Sequence, residues 1–223
     1  MFVVGRVNAH LIRPFARYHR VMVNSVRDSD VKCRIVTAAH RVVASQGVHA
    51  STMRGIAAEA GVTTGAVTHY FADKADVMAA VLEYNNRLAT ERVTERVAGR
   101  RGLAALAATV EALVPSDELS LQAWTVLVAF WGHAPAQPVL DAWVTEATSG
   151  ARGLRSWLGK TLGDAVELGE LDAGVDIDHE TERALVLIAG LGVMAGGFPQ
   201  ELEQVRRRTK AMLADYLDQL KQR

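Results

Sequence analysis

The sequence predicts an all-α protein. Ala, Leu, Glu and Arg recur at helical spacing along most of its 223 residues, whereas aromatic residues make up only 6% and alternating apolar runs are short. Apolar residues form 49% of the chain, which is ample material for a core. We therefore predict a small helical domain at residues 28–76 and a larger one at residues 77–223, joined within a continuous helix.

The first domain reads as a helix followed by two short helices and the start of a long one. Apolar residues recur from Asp30 until Gly47, a candidate C-cap. We expect Ser51 to cap a helix at Met53–Ala60, Thr63 to cap one that ends near Tyr70, and Asp73 to cap the long helix.

The two short helices, MRGIAAEAGVTTGAVTHY, have the steric pattern of a helix-turn-helix. Ala57 is small where the two helices would cross, and Gly61 stands where a turn wants a left-handed backbone. Four apolar positions would hold the second helix against the first: Ile56, Ala60, Val62 and Val67. The alternative from these residues alone is a generic helical hairpin.

With the HYFADKADV that follows, residues 35–82 resemble the TetR-type repressor family. The resemblance implies a homodimer that binds double-stranded operator DNA through two recognition helices. It implies that Thr52 caps a helix and touches a phosphate, and that Tyr70 and Lys74 bind phosphates. It also puts Thr63, Thr64, Gly65, Thr68 and His69 on the exposed face of the recognition helix.

Charge supports DNA binding only in part. Lys plus Arg equals Asp plus Glu at 25 each, and the predicted recognition helix has no Lys or Arg. We therefore expect base readout to rest on short side chains and on DNA shape. Phe71 is expected to be a core residue, whereas Lys74 opposes the dipole at a helix start, which favours a functional role.

Residues 1–27 form a separate basic extension, with five arginines and no acidic residue. They fit a secretory signal peptide poorly, because Arg and His interrupt any apolar stretch. Three interpretations stay open: a disordered arm that touches DNA phosphates, a weak amphipathic helix, or a segment that is not translated, with Met22 as the start.

The last two helices, at about 178–197 and 199–221, are predicted to form the dimer interface. Their apolar faces comprise Ala184, Leu187, Ile188, Leu191 and Ala195, and then Leu202, Val205, Met212, Leu213, Tyr216, Leu217 and Leu220. Gly190, Gly192, Gly196 and Gly197 would permit close approach of helices. Pairing two copies would remove this apolar surface from water.

The C-terminal half resembles the branch of the family that contains the choline-responsive betaine-synthesis repressor, in LQAWTVLVAFWGHA and in the last two helices. That branch implies a pocket for a small-molecule effector. Candidate ligand residues are Trp124, Trp131, His133 and Trp143, with Phe130 and His40 lining or flanking the cavity. The alternative is that the tryptophans are ordinary core, which would leave a helical dimeric scaffold without ligand control.

Other functional classes have little support. Gly190, Gly192 and Ala195 spell a dinucleotide fingerprint, but no strand–helix–strand pattern accompanies it. We find no nucleophile or metal-binding signature, so we predict no catalytic residue, no metal site and no cofactor. The apolar run from Ala184 to Phe198 is too short for a membrane span, and a single cysteine, Cys33, is typical of a cytoplasmic protein.

Overall fold

The structure is a computed structural model that describes residues 26–132, 140–198 and 201–222, with only the backbone described for 26–29 and 140–152. Within these ranges the secondary structure is entirely helical, which confirms the predicted fold class. The nine described helices are α1 (Val26–Ala50), α2 (Met53–Ala60), α3 (Thr64–Tyr70), α4 (Lys74–Val97), α5 (Gly102–Leu113), α6 (Glu118–Trp131), α7 (Leu140–Glu167), α8 (Ile177–Gly197) and α9 (Leu202–Lys221). No described helix is long and apolar enough to cross a membrane.

Side-chain caps mark the start of α2, α3 and α4. Thr63 Oγ1 accepts a hydrogen bond from Ala66 N at 3.1 Å, and Asp73 Oδ1 accepts one from Asp76 N at 3.0 Å, as predicted. The prediction that Ser51 caps α2 is wrong. Thr52 occupies that position, and its Oγ1 accepts from Gly55 N at 3.0 Å. Ser51 is instead buried, and its hydroxyl donates to Gly47 O at 2.7 Å.

Gly47 interrupts α1 rather than ending it. Its φ of 77° lies in the left-handed region, where a side chain would be strained, and the helix resumes for one turn as far as Ala50. Ser51 closes this turn by donating to the Gly47 carbonyl. The break therefore aims the start of α2 away from the axis of α1.

Two main hydrophobic cores are connected by α4 and α6. The first contains residues of α1, α2, α3 and the start of α4, together with Val126 and Phe130 of α6. The second contains residues of α5, α7, α8 and α9, among them Leu106, Leu158 and Leu220. The predicted domain division between residues 76 and 77 falls inside α4, whose Val77 and Val81 belong to the first core; the division stays a prediction.

Two glycines of α8 allow α6 to pack closely against it. A Cβ on Gly192 would lie 2.1 Å from the Trp124 ring, and one on Gly196 would lie 2.7 Å from the Trp124 backbone. The predicted close approach of helices at the α8 glycines is therefore found at Gly192 and Gly196, but toward α6 of the same chain, whereas Gly190 meets nothing within 4 Å.

Most of the apolar residues assigned to the dimer interface are also buried within the subunit. Only Met212 of the predicted set is among the exposed large apolar residues, at 43% exposure. Buried members of that set are Ala184, Ile188, Leu191, Ala195, Val205, Leu213, Tyr216 and Leu220. Val186 of α8, which is not in the predicted set, is 69% exposed.

Candidate DNA-binding and effector sites

The helix-turn-helix is held together by a small apolar cluster. Ile56, Ala57 and Val67 are at most 2% exposed and belong to the first core, while Ala60 and Val62 pack against it half-buried. Gly61 has a φ of 64°, and its N–H donates to the Ala58 carbonyl at the end of α2. The six positions identified from sequence therefore do the steric work expected of them, and they fix α3 against α2.

The outer face of α3 is exposed and carries no Lys, Arg, Asp or Glu. Thr64, Gly65, Thr68 and His69 are exposed, and Tyr70 is half-buried with its ring edge-on to His69 at a centroid distance of 5.0 Å. Phe71 is only 4% exposed and lies in the core, as expected. The nearby Arg41 and Glu59 pair at 2.8 Å, so neither is an isolated charge beside the motif.

Lys74 contacts the end of α1. Its Nζ donates to the backbone carbonyl of His49 at 3.2 Å, and partial burial lowers the pKa of its ammonium. A Lys at the first position of a helix opposes the helix dipole, and the carbonyl compensates part of that cost. The contact fixes the ammonium beside the helix-turn-helix, where the resemblance expects a phosphate.

The candidate effector residues are described only in part. Trp124 is half-buried, its indole N–H donates to Leu113 O at 2.7 Å, and its ring lies edge-on to Trp131 at 6.1 Å. Trp131 is 45% exposed. His133 lies outside the described residues, as does the side chain of Trp143.

His40 and Phe130, unlike Trp124 and Trp131, are buried side chains. His40 is buried between α1 and α4, where its Nε2 lies 3.0 Å from Asn85 Oδ1 and burial lowers the pKa of its imidazole. Phe130 belongs to the first core. Both side chains join the DNA-binding motif to α4 and α6, and a place for them beside an effector cavity stays a prediction.

Sequence reasoning missed a contact that ties three helices together. Arg92 of α4 donates through Nε to Ala112 O at 3.2 Å and through its other two nitrogens to Asp117 at 3.1 and 2.8 Å. Asp117 also caps α6 by accepting from Ser120 N. These bonds hold the pKa of Asp117 down, at about 2. The sequence pattern before α6 is typical of a helix cap at Asp117. No local pattern indicates that Asp117 also pairs with Arg92, 25 residues away.

The dinucleotide alternative fails on geometry. The fingerprint requires a loop between a strand and a helix. Its three residues here, Gly190, Gly192 and Ala195, instead lie inside α8, which runs from Ile177 to Gly197. Among the described residues no group of three or more metal-ligating side chains is found.

The fold and the exposed α3 define the class: a helical protein with an N-terminal helix-turn-helix joined to a larger helical domain. Comparison with known proteins is consistent with this class. Residues 35–81 match the family model described as bacterial regulatory proteins, tetR family. Residues 103–221 match the BetI-type transcriptional repressor, C-terminal.

Individual relatives agree. The chain is 30% identical to the HTH-type transcriptional regulator PksA of Bacillus subtilis over 168 residues, which cover 73% of this chain and 77% of that protein. It is 28% identical to the regulator BetI of Burkholderia cenocepacia over 111 residues, covering 49% of this chain and 57% of BetI.

Solved structures share the fold. A transcriptional regulator from Rhodococcus sp. Rha1 superposes with a TM-score of 0.71 at 25% identity, covering 86% of this chain and 96% of that one. A regulator from Saccharomonospora viridis in complex with choline has a TM-score of 0.69 at 23% identity, with 83% and 96% coverage. The chain therefore belongs to the TetR family of bacterial transcriptional regulators, with a C-terminal part of the BetI type. It is a regulator rather than an enzyme.

Proposed function

We propose that this protein is a repressor that binds operator DNA as a homodimer and is released by a small molecule. The observation that carries the DNA-binding part is the geometry of α3. Its inner face is fixed by buried Ile56, Ala57 and Val67, while its outer face is exposed and carries no Lys, Arg, Asp or Glu. An exposed helix on a rigid support is what entry into the major groove requires. We place this activity in the cytoplasm, where chromosomal DNA is accessible.

The proposed DNA-binding residues divide into two kinds. Thr64, Gly65, Thr68 and His69 of α3 are proposed to face base edges. Tyr70 and the residues around α3 are proposed to meet the phosphate backbone, which positions the helix without reading sequence. The full set is Thr52, Thr63, Thr64, Gly65, Thr68, His69, Tyr70 and Lys74. Thr52 and Thr63 already accept a backbone N–H within the protein, so each retains its hydroxyl proton for a phosphate oxygen.

The test is a gel shift with DNA fragments that flank the coding region. Thr64→Ala, His69→Ala and Tyr70→Ala should each weaken specific binding. Thr94→Ala, an exposed position on α4 remote from the motif, is the matched control and should bind like wild type. Specific affinity retained in all three variants would overturn the assignment, and a wild type that binds no fragment specifically would favour a helical scaffold.

Lys74 should behave differently from Thr64 and His69. Replacing it with Ala should weaken binding to all sequences alike and reduce the salt dependence by about one unit of slope per subunit, because a phosphate contact releases counterions but reads no base. A change in sequence preference without a change in slope would contradict the phosphate role.

We assign dimerisation to the outer faces of α8 and α9. Val186 and Met194 lie two turns apart on α8, with Gly190 between them, and are 69% and 49% exposed. Met212 adds an exposed apolar residue on α9. A second copy would cover this surface and place two recognition helices about one DNA turn apart.

The effector is proposed to be a small, largely apolar molecule bound beside Trp124 and Trp131, with His133 and Trp143 completing the site. Support comes from the edge-on tryptophan pair and from the BetI-type C-terminal match. A ligand that binds the conformer unable to bind DNA would shift the population by its differential affinity, and α4 would transmit the shift.

Tryptophan fluorescence tests the effector proposal. Choline is the first probe, because a related fold is known in complex with it, followed by a panel of apolar compounds. A compound that changes fluorescence should also release DNA, and Trp131→Leu should weaken both effects. Fluorescence changes without DNA release would leave α5–α9 as a dimerisation scaffold.

A further inference from the structure

The threonines of the recognition motif differ in what their hydroxyls already do. Thr63 Oγ1 accepts the capping hydrogen bond from Ala66 N. Thr68 Oγ1 donates its proton to the Gly65 carbonyl at 3.2 Å. Among the described residues, the Thr64 hydroxyl has no hydrogen-bond partner. Of the two threonines within α3, Thr64 can therefore donate to a base and Thr68 cannot without breaking a bond inside the helix.

Thr68 nevertheless lies on the exposed face. It is one helical turn from Thr64 and three residues from Gly65, so the three share the outer side of α3. A Cβ on Gly65 would meet nothing nearer than Thr63 Oγ1 at 3.8 Å, so the surface beside Thr68 is a shallow gap. With its hydroxyl turned to the backbone, Thr68 offers its methyl group to an incoming groove.

We propose that Thr68 is a specificity residue that reads the 5-methyl group of a thymine through its own methyl, while the polar readout falls to Thr64 and His69. Thymine is the base that carries an apolar group in the major groove, and a Thr methyl is a suitable partner for it. The inference rests on the proposed operator binding and adds the chemistry by which one base pair is recognised.

A polar role is the competing possibility. Oγ1 of Thr68 keeps an acceptor lone pair while it donates to Gly65, so it has the capacity to accept a hydrogen bond from the amino group of adenine or cytosine. Valine has the shape of threonine and retains a methyl but has no hydroxyl, whereas serine keeps the hydroxyl and lacks the methyl. These two substitutions separate the two roles.

The experiment begins with the full-length protein and a random duplex library, from which bound sequences are selected. Each thymine of the selected site is then replaced by deoxyuridine, which removes only the 5-methyl group. At one position of each half-site, this replacement should weaken wild-type binding about fourfold, the value of one buried methyl contact. Thr68→Ser should bind both duplexes equally, and Thr68→Val should keep the wild-type preference.

The control variant is Thr64→Val, which removes the free hydroxyl next to the same surface. It should lose affinity but retain sensitivity to deoxyuridine. The inference is overturned if Thr68→Val loses the preference, if Thr68→Ser keeps it, or if no thymine position responds. Failure to select any duplex would overturn operator binding itself, so the two failures are distinguishable. Circular dichroism on each variant verifies that the protein stays folded.

Discussion

Single residues of the recognition motif are specialised by their backbone position. Thr52 and Thr63 occupy extended conformations just before a helix, so their side chains reach forward to the N–H group three residues later. Thr68 lies inside a helix, so its hydroxyl turns back to a carbonyl. A threonine side chain in this motif therefore either caps a helix or turns its hydroxyl to the backbone and presents its methyl group, depending on its position in the helix.

Gly65 allows a prediction at the residue scale. Gly65→Ala should leave the free protein at least as stable, because the added Cβ makes only an ordinary van der Waals contact with Thr63 Oγ1 at 3.8 Å and Ala favours a helix by about 0.5–1 kcal/mol. It should nevertheless weaken operator binding about tenfold or more, since a methyl would intrude where the helix meets the groove. Urea unfolding and gel shifts measure the two effects. Gly153→Ala, whose added Cβ meets open space, is the control for DNA binding. Unchanged affinity for Gly65→Ala would contradict a close approach of α3 to the groove.

Among the elements, α6 connects the parts of the molecule. Val126 and Phe130 enter the core of the DNA-binding motif, Trp124 packs on Gly192 of α8, and Asp117 at the start of the helix is bound by Arg92 of α4. A shift of α6 would therefore change its packing against both α1 and α8. We therefore propose that an effector acts through α6 and α4.

The contact between α6 and α8 should be intolerant of side chains on α8. Gly196→Ala would put a Cβ 2.7–2.8 Å from backbone atoms of Trp124 and Thr125, which cannot move aside as a flexible side chain would. We expect a loss of about 1–3 kcal/mol in the free energy of unfolding. Gly153→Ala should instead gain up to about 1 kcal/mol. Equal stability of the two variants would disprove the close packing.

The pair between Arg92 and Asp117 predicts a pH dependence. The pKa of Asp117 is about 2 in the folded state, against an ordinary value of 3.8, so the pair stabilises the protein above about pH 4 and is lost as the pH falls toward 2. Asp117→Asn keeps the cap but removes the charge. The difference in unfolding free energy between wild type and this variant should be greatest near neutral pH and shrink below about pH 4.

This effect should be modest, because the Asp117 side chain is 46% exposed and solvent screens the pair. Asp215→Asn, an exposed position on α9, serves as the control. A difference between wild type and Asp117→Asn that is constant from acid to neutral pH would argue against the charge contact.

At the scale of the whole molecule, Val186 and Met194 of α8 and Met212 of α9 are among the apolar side chains that the described part of the subunit leaves exposed. Val186→Glu and Met212→Glu should convert a dimer of about twice the 24.1 kDa chain mass into monomers without lowering the unfolding temperature of the subunit. Light scattering measures the mass. Leu119→Glu, at 68% exposure on α6, is matched to Val186 and should remain dimeric. A wild type that is monomeric at micromolar concentration would refute the dimer.

Disruption of the interface at buried positions would be uninformative. Leu191 and Leu213 are 7% and 5% exposed within the subunit, so a charge there would damage the second core before it reached any partner. Loss of DNA binding in Val186→Glu, with the subunit folded, would link dimerisation to the spacing of the two recognition helices.

The sequence alone determined the helical class, the order of elements and the helix-turn-helix, because caps, glycine turns and apolar periodicity act over a few residues. Gly61, Thr63 and Asp73 were predicted correctly for this reason. Tertiary structure alone decided which apolar faces are buried: Leu191 and Gly196 face their own chain, and His40 lies between α1 and α4. A periodic stripe specifies that a face is apolar, but its partner depends on packing between residues far apart in sequence.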